Sequence, residues 1–176
     1  MNKLGFISTI ISSILLFMPF IPLGIYFGSA SNPWIGFNYY NTFAVSILTY
    51  NTKQIYMWGL ISSGAAMFWF EYNLITLIFL SILSIIAIIT SIVGTFKGDL
   101  LGKRFMGFNF FAQLFMNLYI LIGFTIYSEE IFGVAFNLVD VYLYLDYGFF
   151  ILFLNLIISF IAYRKHDIKW TEYEGG

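Results

Sequence analysis

Long apolar runs separated by short polar segments dominate the hydrophobic pattern of this chain. A helix of about 20 apolar residues crosses the roughly 30 Å hydrocarbon core of a bilayer. Four runs meet that length approximately: residues 4–27, 72–96, 106–127 and 143–163. The pattern predicts four transmembrane helices in a single membrane domain, residues 1–176. The connections are an outer loop at 28–71, an inner loop at 97–105 and an outer loop at 128–142, with a cytoplasmic tail at 164–176.

The apolar stretch 55–96 contains one charge, Glu71, and is too long for a single pass. As one helix it would measure about 63 Å at 1.5 Å per residue. The positive-inside rule argues against a separate pass at 55–70. With four passes, both ends and all lysines and arginines except Lys53 lie on one side: Lys3, Lys97, Lys103, Arg104, Arg164, Lys165 and Lys169. A fifth pass removes that bias, so both termini are predicted to be cytoplasmic.

The two outer loops show strand patterns. Residues 42–50 and 55–62 flank a turn signal at 51–54 and predict a β-hairpin, and residues 66–72 suit a third strand. Residues 139–145 alternate between apolar and polar positions, which favours a half-buried strand; an early start of the fourth helix is the alternative. The predicted fold class is an all-α membrane protein with a small β addition: a four-helix transmembrane bundle under a short antiparallel extracellular sheet from both outer loops.

This topology, with Trp34 and then Trp58-Gly59-Leu60 in the long first outer loop, resembles the claudin-type four-pass (tetraspan) architecture. First loops of that family carry a tryptophan, a Gly-Leu-Trp sequence and two cysteines. The order differs here, and the chain has no cysteine. The resemblance implies the architecture and assigns no functional residue.

Composition supports lipid as the solvent. The chain is 60% hydrophobic and 10% charged, whereas soluble domains carry roughly 25% charged residues. The net charge of −1 gives no basic field for nucleic acid. The absence of cysteine excludes disulfides and thiolate metal sites, and the single histidine, His166, falls in the charged tail. With no nucleotide-binding or catalytic motif present, we expect no cofactor, no bound metal and no enzymatic activity.

Polar side chains recur on one face of the third predicted helix. Asn109, Gln113 and Asn117 are spaced i, i+4, i+8, and Asn155 of the fourth helix is their expected partner. Amides in lipid must find partners, so this face is predicted to hold helices together. The alternative is that it lines a polar path or a ligand pocket.

Small residues form a packing seam on one face of the second predicted helix. Ser84, Ala87, Ser91 and Gly94 recur at spacings of three and four and allow close approach of another helix. Whether that helix belongs to this chain or to another protein is open from the sequence.

The outer segments are too apolar to stand free in water, which predicts a surface that lies on the membrane or is covered by a partner. Its candidate residues are Trp34, Tyr39, Tyr40, Trp58, Trp69, Asp140, Tyr142 and Tyr144. The function that fits best is a structural or accessory subunit of a larger assembly in the cell membrane, acting through lateral and outer-face contacts. Its partners would be membrane lipids and other membrane subunits or copies of itself. The alternative is a small transporter or channel component that uses the polar face of the third helix. A membrane enzyme that uses the outer carboxylates or tyrosines is a third possibility.

Overall fold

The computed structural model describes residues 2–17, 48–50, 53–56, 59–62, 65–66, 71–126, 129, 135, 137–139, 145 and 147–167. This part of the chain is mainly helical. Its four long helices are α1 (Lys3–Phe17), α2 (Glu71–Phe96), α3 (Leu100–Leu118) and α4 (Tyr147–Arg164). A π-helical turn, Tyr119–Gly123, and a last α-helical turn, Phe124–Ile126, extend α3.

Among the described residues, two helical segments are long and apolar enough to cross a membrane, Ile78–Phe96 and Leu100–Gly123. Two shorter apolar helical segments, Lys3–Phe17 and Gly148–Arg164, accompany them. The prediction of a mainly helical chain is therefore confirmed, and two of its helices have the length and apolar composition that a membrane span requires. Residues 18–27, the second part of the first predicted span, lie outside the described residues.

The third helix begins earlier than the apolar pattern predicts, at Leu100 instead of residue 106. Asp99 caps it: the Asp99 carboxylate accepts a 2.7 Å hydrogen bond from the backbone N–H of Gly102. The predicted inner loop 97–105 thereby shrinks to residues 97–99. The charged side chains of Lys103 and Arg104 interrupt the apolar run but not the helical backbone.

Of the segment predicted to form the second outer loop and its strand, the structure describes residues 129, 135, 137–139 and 145. Leu138 and Val139 have helical backbone, Leu145 sits in a single β-bridge, and α4 begins at Tyr147 instead of residue 143. The predicted strand 139–145 therefore does not begin at Val139, and the fourth helix does not begin early.

Four short strands lie in the segment that the sequence predicts as the first outer loop: β1 (Leu48–Tyr50), β2 (Lys53–Tyr56), β3 (Gly59–Ser62) and β4 (Ala65–Ala66). They pair in sequence order as an antiparallel meander. Leu48 lies opposite Ile55, and Ile55 opposite Leu60. The predicted strand 55–62 is thus split by a reversal between β2 and β3. Of the predicted strand 66–72, only Ala66 lies in a described strand, and Glu71 already begins α2.

The four helices pack in a closed order. Close contacts join α1 to α2, α2 to α3, α3 to α4, and α4 to α1. Two pairs, α1 with α3 and α2 with α4, therefore face each other across the diagonals.

The backbone hydrogen-bond pattern of α3 changes from α-helical to π-helical close to Asn117. The side-chain Nδ2 of Asn117 donates to the backbone carbonyl of Gln113 at 2.8 Å, and the π turn begins two residues later, at Tyr119. A side chain that bonds the carbonyl one turn back competes with the backbone ladder and bends helices. The ring of Tyr119 packs on that of Phe79 of α2, with 4.5 Å between centroids.

Candidate functional site: a buried amide cluster

The predicted polar face of α3 is turned into the centre of the helices. Asn109 and Gln113 are fully buried. Nδ2 of Asn109 donates to the hydroxyl of Ser8 at 3.0 Å, and Nε2 of Gln113 donates to the hydroxyl of Ser12 at 2.9 Å. Both serines belong to α1, so these bonds cross the diagonal between α1 and α3.

Asn155 of α4 joins the same cluster. It is fully buried, and its Nδ2 donates to the hydroxyl of Ser12 at 2.9 Å. Ser12 therefore accepts from both Gln113 and Asn155, and the predicted link between α3 and α4 runs through a serine of α1. Asn117, also buried, bonds the Gln113 carbonyl on its own helix.

Four side chains form the amide cluster: Asn109, Gln113, Asn117 and Asn155. Each donates a hydrogen bond from its side-chain nitrogen, but none accepts one at its side-chain oxygen from a described residue. All four side-chain oxygens are buried and have no hydrogen-bond partner among the described residues. An unsatisfied buried acceptor costs free energy, so these oxygens favour a partner, either a water molecule that donates a hydrogen bond or a small cation that they coordinate. Carboxylates, histidines and cysteines do not gather in threes anywhere in the described part of the chain, so no metal centre of that kind is found there.

Sequence reasoning missed Ser8 and Ser12, which are both buried. The sequence feature that could have identified them is a shared spacing: Ser8 and Ser12 are four residues apart, as are Asn109 and Gln113. Such pairs lie on one face of a helix, one turn apart. Two helices that present the same interval can align pair by pair.

The small-residue seam of α2 packs inside this chain. Ser84, Ala87, Ser91 and Gly94 are all buried. The Ser91 hydroxyl donates to the Gly5 carbonyl of α1 at 2.7 Å, and the Ser84 hydroxyl lies 3.4 Å from the sulfur of Met116 in α3. The partner left open by the sequence is therefore internal.

Glycine permits the closest approach in this seam. A Cβ added to Gly5 would lie 2.6 Å from the Thr95 hydroxyl oxygen and would overlap the end of Met106. A Cβ on Gly94 would lie 3.0 Å from the carbonyl oxygen of Gly102. The helices α1, α2 and α3 thus meet at backbone distance, which side chains larger than hydrogen would prevent.

Asn2 ties three helices together where α1 begins. Its backbone N–H donates to the Thr95 carbonyl of α2 at 3.0 Å. Its side-chain Nδ2 donates to the Ala162 carbonyl of α4 at 2.8 Å, and its Oδ1 caps α1 by accepting the Gly5 N–H at 3.1 Å. His166, which the sequence places in a charged tail, is buried against Asn2.

The predicted outer surface lies outside the described residues. This applies to all of its members: Trp34, Tyr39, Tyr40, Trp58, Trp69, Asp140, Tyr142 and Tyr144. That surface stays a prediction.

Comparison with known proteins adds no relative. No family model matches the sequence, and no curated protein or solved structure matches it either.

Proposed function

We propose that this chain is a non-enzymatic, four-pass integral membrane protein that acts as a structural or accessory subunit of a larger membrane assembly. The observation that carries the proposal is the direction of the polar groups. The amide cluster donates to serines and a backbone carbonyl within the helices, while the outward faces are apolar. Amides arranged in this way hold helices together in lipid.

The outward faces support lipid as the surrounding medium. On α2, Ile78, Ile82 and Ile89 are each about half exposed, and on α3, Phe108, Phe111 and Phe115 are more than half exposed. The large apolar side chains of α1 and α4 behave similarly, including Ile14 and Phe160. A soluble protein rarely exposes an apolar surface this continuous.

The distribution of charge supports cytoplasmic termini. Lys3 is the first residue of α1, Lys97 and Lys165 follow α2 and α4, and all three line one cavity. Lys103 lies near the same end of the helices, with its ammonium 5.8 Å from the ring centre of Tyr163. Cations gathered at one end favour a cytoplasmic location for that end.

A gentle pull-down from native membranes, followed by mass spectrometry, tests the accessory role. We expect stoichiometric co-purification with other membrane subunits. Two double variants map lateral contacts: Phe111→Ala with Phe115→Ala on α3, and Ile82→Ala with Ile89→Ala on α2. Loss of the partner with one pair but not the other would locate the contact.

Recovery of the wild-type chain alone would contradict the accessory role. A stable monomer in mild detergent would count against the proposed outer-face binding surface as well. A homo-oligomer would instead favour a self-assembling array or a pore.

The second candidate function, a transporter or channel component, is favoured by the four unpartnered amide oxygens. They could accept hydrogen bonds from water or coordinate a monovalent cation in transit. The triple variant Asn109→Leu, Gln113→Leu, Asn117→Leu separates the two functions. A structural cluster predicts misassembly, whereas a conducting path predicts an assembled protein with lost ion flux in liposomes. The substitution Ile75→Leu, at an exposed position outside both contact-mapping pairs, is the control and should leave both properties unchanged.

A further inference from the structure

A cavity of about 270 Å³ opens where α1 begins and where α2 and α4 end. Its wall carries three lysines, one carboxylate, a histidine and a threonine: Lys3, Lys97, Lys165, Asp167, His166 and Thr95. Three ammonium groups against one carboxylate leave an excess of two positive charges. A water molecule occupies about 30 Å³ in the liquid, so the cavity has room for a small polyatomic anion and several waters.

His166 lines this cavity and carries a buried N–H donor. The Asn2 amide is oriented by two bonds, since its Oδ1 accepts from Gly5 and its Nδ2 donates to Ala162. The same Nδ2 lies 3.3 Å from Nδ1 of His166, which must then accept. The ring N–H is therefore on Nε2.

That Nε2 has no hydrogen-bond partner among the described residues, and only 7% of the His166 surface is exposed. The hydroxyl oxygen of Thr95 is likewise buried without a partner. Buried polar atoms are normally satisfied, so two such atoms in residues that line one cavity point to a partner that forms hydrogen bonds there.

The position of Lys3 strengthens this argument. Lys97 and Lys165 follow the C-terminal ends of α2 and α4, where a cation is favourable with the helix dipole. Lys3 instead occupies the first turn of α1, the positive end of that dipole. An anion in the cavity would offset this unfavourable placement.

The beginning of α1 also leaves N–H groups to satisfy. The N–H of Asn2 donates to Thr95 and that of Gly5 donates to the Asn2 side chain. Lys3 and Leu4 both line the cavity. Their backbone N–H groups belong to the first turn of α1 and therefore have no intrahelical acceptor. Helix N-termini of this kind bind anions.

We propose that this cavity binds a phosphate group. A phosphate has several strong acceptor oxygens on one tetrahedral centre, which suits ammonium groups and N–H donors that approach from several directions. The group belongs either to an anionic lipid headgroup at the membrane surface or to a soluble phosphate. The inference does not depend on the accessory role, because the cavity is built within one chain.

Calorimetric titration of inorganic phosphate into the full chain in phosphatidylcholine nanodiscs tests the proposal. The double variant Lys3→Gln with Lys165→Gln should bind phosphate at least about tenfold more weakly, because it removes two charge-assisted contacts. Lys103→Gln with Arg104→Gln is the matched control. It also removes two positive charges from this end of the protein, but neither residue lines the cavity.

A third variant separates the built site from general attraction by charge. His166→Leu keeps all three lysines and removes the N–H donor. We expect it also to weaken phosphate binding, provided that its melting temperature shows a folded protein. If His166→Leu does not fold, the phosphate affinities of the two double variants still test the proposal.

Nanodiscs that contain phosphatidic acid distinguish the two sources. If the headgroup occupies the cavity, added phosphatidic acid will suppress the phosphate titration, and native mass spectrometry will show more phosphatidic acid retained by the wild type than by the Lys3/Lys165 variant. If the titration is unchanged, the ligand is a soluble phosphate. Two results would overturn the proposal: equal losses in both double variants, or a wild type that neither titrates phosphate nor retains phosphatidic acid preferentially.

Discussion

The Ser12 hydroxyl lies 2.9 Å from Nε2 of Gln113, and this bond joins α1 to α3 across the centre of the four helices. The same hydroxyl accepts from Asn155 of α4 at the same distance. One small side chain therefore connects three helices. Its removal leaves two buried amide donors without an acceptor, whereas removal of Ser8 leaves one, that of Asn109.

Ser12→Ala should therefore cost about twice as much stability as Ser8→Ala. Interhelical hydrogen bonds in membrane proteins contribute about 0.6 kcal/mol on average. We expect a loss of roughly 1–2 kcal/mol for Ser12→Ala and about half of that for Ser8→Ala. The free energy of unfolding in mixed detergent micelles measures both. Equal losses of stability would mean that the hydrogen bond from Asn155 to Ser12 adds nothing to the free energy of unfolding.

Gly102→Ala should destabilise the junction of α2 and α3. The added Cβ would overlap the Lys97 carbonyl, which is backbone and cannot turn aside as a side chain can. Overpacking of this kind typically costs about 1–3 kcal/mol. Gly107→Ala in the same helix is the control, because its Cβ would lie 3.4 Å from the Tyr163 ring, an ordinary contact. It should be neutral or stabilising by up to about 1 kcal/mol, since alanine favours helix over glycine.

Thermal unfolding followed by circular dichroism compares the two glycine variants. The expected order is a lower melting temperature for Gly102→Ala than for Gly107→Ala. The reverse order would show that α3 begins differently from the capped start at Asp99.

A cysteine at position 89 should be shielded by lipid although the side chain is exposed on the protein. Ile89 is 54% exposed, so in water Ile89→Cys would react readily with a polar maleimide. In native membranes we expect almost no labelling, because the thiolate does not form in hydrocarbon. The chain has no cysteine of its own, so there is no background. Full labelling after denaturation is the control, and rapid labelling in membranes would contradict a lipid-facing α2.

Single cysteines also report the orientation. With cytoplasmic termini, Gly98→Cys and Asp167→Cys should resist an impermeant maleimide in intact cells and react after permeabilisation. Glu129→Cys, after the extension of α3, should react in intact cells. All three positions are exposed. The opposite pattern would invert the topology, and equal accessibility at all three would contradict four passes.

The sequence by itself determined the helical character, the approximate extent of α2, and the face that Asn109, Gln113 and Asn117 share. These follow from apolar length and from the 3.6-residue period, which are local properties of the chain. The errors in the helix boundaries predicted from the sequence also have a local cause. The start of α3 depends on the Asp99 cap and on a helix that continues through Lys103 and Arg104, whose charges interrupt the apolar pattern.

Only the tertiary structure decided which groups meet the amides. Thr9 and Ser13 of α1 bond carbonyls of their own helix, whereas their neighbours Ser8 and Ser12 accept from residues more than 100 positions away. A hydroxyl in a helix can do either, and the choice depends on which face a neighbouring helix covers. The burial of His166 has the same origin: the chain after α4 meets Asn2 at the start of α1, a contact between residues far apart in sequence. Periodicity fixes the face that a side chain occupies, but packing fixes its partner.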